Sequence, residues 1–286
     1  MKFASYNIQF GLGLDRQFDP ERIARSLEGA DVIALQEVTR GMPHNGGVDL
    51  VSVMADLFPD HHFIYGPACD LHLSSERVDG RLVDKRYQFG NMVLSRWPIL
   101  AHRMLLLPRH RTFDKLNLQR GATEAVIATP DGPLRVYSVH LDHVSPDERI
   151  DQIDFLKERV LNFVNEGGAI TGATEFGVAD PPLPEDFLIL GDFNMEPESP
   201  EYCAMTGYGD AFYGRVLRAG FPVDALARCG AVTADSVTWI DCDNHAERKH
   251  LDYCFLSPGL VPRLKDAFID IEAEGSDHLP IWVELG

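Results

Sequence analysis

Asn7 in "SYNIQF", Glu37 in "ALQEV", His140 in "YSVHLDH", Asp192 and Asn194 in "LILGDFN", Asp252 in "HLDYCF", and Asp277 with His278 in "GSDHLPIWV" share one property. Each stands at or near the end of an apolar run of strand length. Taken singly, a Glu there is ordinarily a solvated edge, a Gly-Asp pair a turn, and an Asp-His pair a cap. Their recurrence at widely separated points is more economically explained by convergence on one site. The chemistry that needs such a set is phosphate ester hydrolysis. Glu37 and Asp277 are hard oxygen ligands of the kind that suit magnesium or manganese. Such a metal neutralises a phosphoryl oxygen and the leaving group, a carboxylate deprotonates the attacking water, and histidines donate to the charge that grows on the phosphoryl oxygens.

These groups need rigid elements behind them. Runs rich in β-branched and aromatic residues recur along the chain: "KFASYNIQF", "DVIALQEV", "HHFIYG", "NMVLS", "EAVIAT", "LRVYSVHL", "FLILGDF", "SVTWI", "LDYCFLS" and "LPIWVEL". They predict strands, and Asp131-Gly132 predicts a tight hairpin between two of them. "FDPERIARSLEGA" predicts a helix with Asp19 as N-cap, Pro20 in the first turn, and Ile23 and Leu27 on one face. A second helix follows "SVHLDH", with Ser145 and Glu148 as a capping box; Ile150, Ile153, Leu156, Val160 and Phe163/Val164 recur at helical spacing and Gly167-Gly168 ends it. Residues 168–186, "AITGATEFGVADPPLPED" up to Asp186, form an excursion loop within one domain spanning 1–286, because strands continue on both sides. Many strands with interspersed helices imply an α/β (α+β) sandwich of two packed sheets with helices outside.

The bulk composition fits a soluble globular protein. The sequence has 286 residues, 45% of them apolar and 24% charged, and contains no continuous apolar run of transmembrane length. The N-terminal segment reads as a first strand instead of a signal peptide. Five cysteines, odd in number and scattered, suggest free thiols in a reducing, cytoplasmic setting and no zinc or redox pair. The 26 Lys and Arg against 44 Asp and Glu leave a formal charge of −18, which argues against a protein that grips long nucleic acid by neutralising phosphates. A bound divalent metal and a local cluster of bases could still reverse the sign inside a cleft.

With "LQEV", "GDFN" and "SDHLP" in that order, the sequence resembles the endonuclease/exonuclease/phosphatase superfamily, the fold of deoxyribonuclease I, along nearly its whole length. The resemblance implies a four-layer α/β/β/α sandwich of two packed mixed β-sheets, with the site at one end of the sheets. It implies Glu37 as principal ligand of Mg2+ or Mn2+, with Asn7 beside metal and phosphate and Asp277 as ligand or relay. Asp192 becomes the general base, Asn194 its partner at the phosphate, His278 the histidine at the scissile phosphate, and Asp252 the acid that orients it. His140 matches a position that is His in the deoxyribonuclease I and sphingomyelinase branches and Tyr in the abasic-endonuclease branch, which favours the former. Asp70 lies in the region where an acid pairing with His140 would be expected, without a motif to fix it. The family often has Arg before "IDY", where this chain has Lys249 and His250. The segment "TWIDCDNHAERKHLDY" also lacks the Trp-Cys-Asp-Arg signature of the inositol-polyphosphate 5-phosphatase branch.

Three further residues have two readings each. Arg120 in "QRGATEAV" is a phosphate contact or a surface Arg at a strand start. Asn91 in "GNMVLSRWP" serves the site or caps backbone. Asp142 points the same way as His140 by alternation, or it belongs with His143 to a solvated loop. The leading expectation is a metal-dependent phosphodiesterase or phosphatase acting on a small or lipid-derived phosphate ester. The alternative is a DNA or RNA nuclease, kept open by the basic segment "RHRTFDKLNLQR", residues 109–120. A non-catalytic scaffold on the same fold would be expected to have lost site residues, and none is lost.

Overall fold

The computed structural model describes residues 1–233 and 236–286. Its strands, in chain order, are β1 (Lys2–Asn7), β2 (Val32–Arg40), β3 (His62–Val78), β4 (Arg81–Ser95), β5 (Ile99–Leu106), β6 (Gly121–Thr129) and β7 (Gly132–His140). There follow β8 (Phe187–Asp192), β9 (Val223–Asp224), β10 (Trp239–Ile240), β11 (Arg248–Lys249), β12 (Asp252–Leu256), β13 (Leu264–Ile269) and β14 (Ile281–Leu285). The helices are α1 (Pro20–Ser26), α2 (Leu50–Leu57), α3 (Pro146–Leu161), α4 (Phe163–Glu166), α5 (Pro200–Thr206) and α6 (Ala225–Arg228).

β10 pairs with β11 in a separate two-stranded ribbon, and two six-stranded sheets form, in the orders β13-β14-β1-β2-β4-β3 and β5-β6-β7-β8-β12-β9. Each is mixed: β1 runs parallel to β2 and β7 parallel to β8, while their other neighbours are antiparallel. The central strands are apolar on both faces because each face meets a different layer. In β8, Leu188 and Leu190 point between the sheets, towards Phe3, Val93, Val136 and Ile281. Ile189 points outward and packs with Ile153, Leu156 and Val160 of α3 and Met205 of α5. On the opposite outer face, Ala4, Tyr6 and Leu35 pack on Ile23 of α1 and on Val51 and Met54 of α2. The four-layer sandwich inferred from the sequence is therefore present, with a separate core in each of its three interlayer spaces.

Local signals act where they were read, with adjustments; the helix read from Ser145 to Gly167 is broken at Asn162 between α3 and α4. Asp19 caps α1 by accepting from Arg22 N–H, and Pro20 occupies the first turn. The β6–β7 hairpin turns on Pro130 and Asp131, with Gly132 already paired with Thr129. The Ser145 hydroxyl caps α3 by accepting from Glu148 N–H at 3.3 Å, but the Glu148 side chain does not return the bond. Its carboxylate instead accepts from His110 N–H (2.8 Å) and the Asn117 amide (3.2 Å), and Asp142 takes the Ser145 N–H. The first turn of α3 thus fastens the basic loop of residues 107–120 in place.

One element exceeds what the sequence reading assigned. "HHFIYG" and "NMVLS" continue into a long antiparallel arm, β3 and β4, paired out to Val78↔Arg81. Asp79-Gly80 forms its turn, both residues at positive φ, as a type I′ hairpin requires. The Asp-Gly dipeptide was the available signal; the arm stands in solvent with Leu71, Leu73, Val78, Leu82 and Val83 exposed, so its strands carry no core-facing pattern.

Candidate functional site

The polar strand ends meet at one edge of the sandwich, between the sheets. Parallel pairing of β7 with β8 sets His140 opposite Asp192, and antiparallel pairing of β12 with β8 sets Asp252 on the other flank of Asp192. Asp192 follows Leu188 and Leu190 on the inter-sheet face, so its carboxylate emerges where that core ends. Asn7 reaches it from the other sheet, donating from Nδ2 to Asp192 Oδ2 at 2.9 Å and lying 3.4 Å from Glu37 Oε1. One amide therefore ties the two sheets together at the site.

Glu37 is aimed by a bulge. Leu35 pairs with Met92 and Val38 with Gly90, so Gln36 and Glu37 together oppose Asn91. Glu37 takes φ 59°, Asn194 φ 49° and Gln9 φ 40°, a backbone region that costs about 1–3 kcal/mol for residues other than glycine. All three strained residues carry side chains into the same neighbourhood. Asn194 turns back so that its N–H donates to Asp192 Oδ1 (2.9 Å) and its amide to Leu141 O (3.1 Å). The strand has broken by then, so strand alternation places Asp192 but not Asn194. Phe193, between them, turns into the outer core against Tyr253 and Phe255.

On the far side, His278 Nδ1 lies 2.8 Å from Asp252 Oδ2 and its Nε2 3.7 Å from Asp192 Oδ2. Burial opposes a charge on this ring, but the carboxylates of Asp252 and Asp192 outweigh it and raise its pKa well above the ordinary value. Asp277 accepts from Gln9 Nε2 (2.8 Å) and Trp239 Nε1 (3.2 Å). Gln9 and Trp239 escaped the sequence reading. Neither type signals chemistry by itself, and Trp239 reaches the site only because the short β10 segment bridges to His278.

His140 differs from its expected setting. Asp70 sits out on the arm, bound to Arg86 and Gln88, and His140 Nδ1 is buried without a partner among the described residues. Its Nε2 instead lies 2.9 Å from Arg120 Nη1 and 3.3 Å from Asp192 Oδ2. Burial, then the charges of Arg120 and His278, push its pKa well below the ordinary value, so this ring is neutral. Arg120 is accordingly no surface residue: it is 4% exposed and holds His140 with one terminal nitrogen and His143 with the other.

Two candidates stand away from the cleft. Asn91 lies between the sheets and donates to Gly121 O (2.8 Å) and Ser138 O (3.0 Å), joining Gln36 and Ser138 in a buried polar layer beneath the site. Asp142 is fully buried and accepts from the N–H groups of Val144 and Ser145. Glu37, Arg120, His140, Asp192, Asp277 and His278 all line a cleft of about 740 Å³, whose walls include Phe10, Phe89 and Trp239.

The donor set fits a hard divalent cation. The carboxylates of Glu37, Asp192, Asp252 and Asp277 gather beside Arg120 and His278, with acidic groups outnumbering these two bases. Burial, then repulsion from Asp277, raises Glu37 to about 7. Asp192, Asp252 and His278 also offer atoms within 4.8 Å of one another. His278 Nδ1 in that group is already engaged by Asp252, and the oxygens of Glu37, Asn7 and Asp277 are hard donors of the kind that suits Mg2+ or Mn2+.

A stability prediction follows. The folded pKa of Glu37 lies above its ordinary 4.5, so its contribution to metal-free stability is full below that pH and is lost as pH rises through about 7. Relative to Glu37→Gln, the metal-free wild type should lose on the order of 2–3 kcal/mol between pH 4.5 and 8. Added Mg2+ should restore it. Equal pH slopes for the two proteins in urea titrations would remove this account of Glu37.

The profile of the Endonuclease/Exonuclease/phosphatase family matches residues 4–278, starting within β1 and ending on His278. No curated protein matches the chain. Among solved structures, an endonuclease/exonuclease/phosphatase of Bacteroides vulgatus is 18% identical with a TM-score of 0.66, covering 100% of this chain and 98% of that one. The mannosyl-6-phosphatase of Bacteroides thetaiotaomicron is 19% identical with a TM-score of 0.63, over 100% and 99%. A 3′ phosphatase from Neisseria, bound to a product DNA hairpin, is 17% identical with a TM-score of 0.60, over 100% and 99%. At these identities the structures speak for the fold, while the profile spans every strand end that carries the site, and the chain belongs to the endonuclease/exonuclease/phosphatase family.

Proposed function

We propose that this protein is a metal-dependent phosphoesterase that hydrolyses a phosphodiester or phosphomonoester by attack of water at phosphorus. Members of its family hydrolyse phosphoester bonds and depend on a metal. The observation that carries the reading is Asp192: a carboxylate 2% exposed, fixed on one oxygen by Asn7 and on the other by the Asn194 N–H, with the charged His278 ring 3.7 Å away. So held, it can take a proton from a water in the cleft without reorienting. His278, its tautomer and charge fixed by Asp252, donates Nε2–H to a phosphoryl oxygen as negative charge develops there. Arg120 adds a permanent positive charge beside it. Glu37, Asn7 and Asp277 would hold Mg2+ or Mn2+, which when bound would supply Lewis-acid stabilisation of the phosphoryl and leaving-group oxygens.

A small or lipid-derived phosphate ester suits the charge of −18 and the partly apolar cleft. A nuclease activity has one observation in its favour: the loop carrying Arg109, Arg111 and Lys115 is pinned by Glu148 at the cleft border, where Leu116 and Leu118 line the wall. Free thiols at all five cysteines accord with a cytoplasmic setting. No helix among the described residues is long and apolar enough to cross a membrane.

The test is a panel with Mg2+ or Mn2+: plasmid DNA, single-stranded RNA, sphingomyelin, bis(p-nitrophenyl) phosphate and p-nitrophenyl phosphate. We expect turnover of at least one ester, at least a hundredfold faster with metal than in excess EDTA, on the order expected when a metal supplies several kcal/mol of transition-state stabilisation. Turnover that survives EDTA would overturn the metal assignment, and no turnover of any member the catalytic one.

A further inference from the structure

Asp142 and His143 follow His140 closely, and the structure uses them in opposite ways. The Asp142 carboxylate accepts from Val144 N–H at 2.9 Å and Ser145 N–H at 2.6 Å. Its own N–H donates to Gln152 Oε1 at 2.8 Å, and its carbonyl accepts from Arg149 Nη1 at 3.2 Å. The turn is therefore fixed through both main chain and side chain. His143 rides on it into the cleft wall, beside Arg120, His140 and Asp192, with 40% of its side chain exposed.

The ring's protonation pattern follows from its partner. His143 Nδ1 lies 2.8 Å from Arg120 Nη2. A guanidinium has donors only, so Nδ1 accepts and the proton of the neutral ring sits on Nε2. Burial, then the charge of Arg120, lowers the pKa of His143 and keeps the ring neutral. Nε2 has no protein partner among the described residues, and it is the ring nitrogen farther from Arg120. Each terminal nitrogen of Arg120 binds one imidazole and retains a second hydrogen.

We propose that His143 is a substrate-binding residue of the phosphoester site, its Nε2–H donating to a nonbridging phosphoryl oxygen while Arg120 supplies the adjacent charge. This rests on the phosphoesterase reading above and adds a contact to it. Arg120 has two jobs in the arrangement: it attracts the anion, and it dictates which nitrogen of His143 bears the donor. His143 thereby takes the place at the cleft that strand alternation offered to Asp142.

Three variants separate the two ring nitrogens. His143→Asn keeps an acceptor near the Nδ1 position and loses the donor, His143→Gln places an amide N–H near the Nε2 position, and His143→Leu keeps neither. Inorganic phosphate binding to the Mg2+-loaded protein, followed by calorimetry, and KM for p-nitrophenyl phosphate or bis(p-nitrophenyl) phosphate are the readouts. His143→Asn and His143→Leu should weaken phosphate binding and raise KM by about tenfold to a hundredfold, the loss of one hydrogen bond to a charged group. His143→Gln should recover to within about threefold of wild type, and all three should unfold at nearly the wild-type temperature because the residue is half-exposed. Long-range 15N spectra of the metal-free wild type should show the Nε2–H tautomer. Wild-type phosphate affinity in His143→Asn, or His143→Gln as weak as His143→Leu, overturns the proposal. If the wild type turned over no ester, the phosphoesterase reading would fall by itself. Phosphate binding would still decide the contact: binding lost in His143→Asn supports it, and no binding by the wild type overturns it.

Discussion

Asp192→Ala is expected to lower kcat on any ester the wild type turns over by about a thousandfold or more, with the fold intact. The size of the effect comes from position. Asp192 is tied to both sheets, by the Asn7 amide from β1 and by main-chain pairing with His140 and Asp252 on its flanks. Removing it leaves no other carboxylate fixed in that place to take the water's proton, and His278 loses a neighbour that keeps it charged. Stability should move less than burial alone suggests. Asn7 Nδ2 and Asn194 N–H lose their acceptor, but Glu37 and Asp252, both raised in part by repulsion from Asp192, are relieved. The measurement is kcat beside a urea titration of the same preparation. A rate within tenfold of wild type would remove Asp192 from the mechanism.

Gly191→Ala should be among the most damaging single methyl groups in the described part of the molecule. A Cβ at that position would stand 1.9 Å from Val139 O and 2.8 Å from Val139 C, both main-chain atoms of the neighbouring parallel strand. Backbone cannot step aside as a side chain can, so β7 and β8 must separate or slip. We expect a loss above about 3 kcal/mol, at the upper end of overpacking effects. The same displacement parts His140 from Asp192, paired one residue further along, so activity should fall even in the fraction that stays folded. A variant with wild-type stability would show that the close strand approach at Val139 is not a constraint.

Much of this architecture could be read from the sequence because apolar runs and capping residues act locally. Asp19 and Ser145 cap their helices, and Leu188 and Leu190 enter the central core. What escaped depends on tertiary context. The outer arm has no core-facing pattern, and the Glu148 carboxylate leaves its capping position for the main chain of His110, 38 residues upstream. Asn91 and Arg120 each had two readings, and burial decided both in opposite senses: the amide satisfies backbone carbonyls between the sheets, and the guanidinium enters the cleft. The acid expected for His140 is absent from its side among the described residues, and a cation from a strand start took up the other ring nitrogen. No spacing rule encodes that exchange.

The positive-φ backbone at Gln9, Glu37 and Asn194 also bears on how the molecule can change. Glycine would relax the main chain at each of these places, and at Glu37 it would also remove a carboxylate whose charged form the metal-free site disfavours. A mutational scan scored by thermal tolerance should therefore rank glycine there among the gains, while the same scan scored by turnover should rank it among the losses. Positions where the two rankings disagree most would outline the working end of the molecule without anyone knowing its substrate.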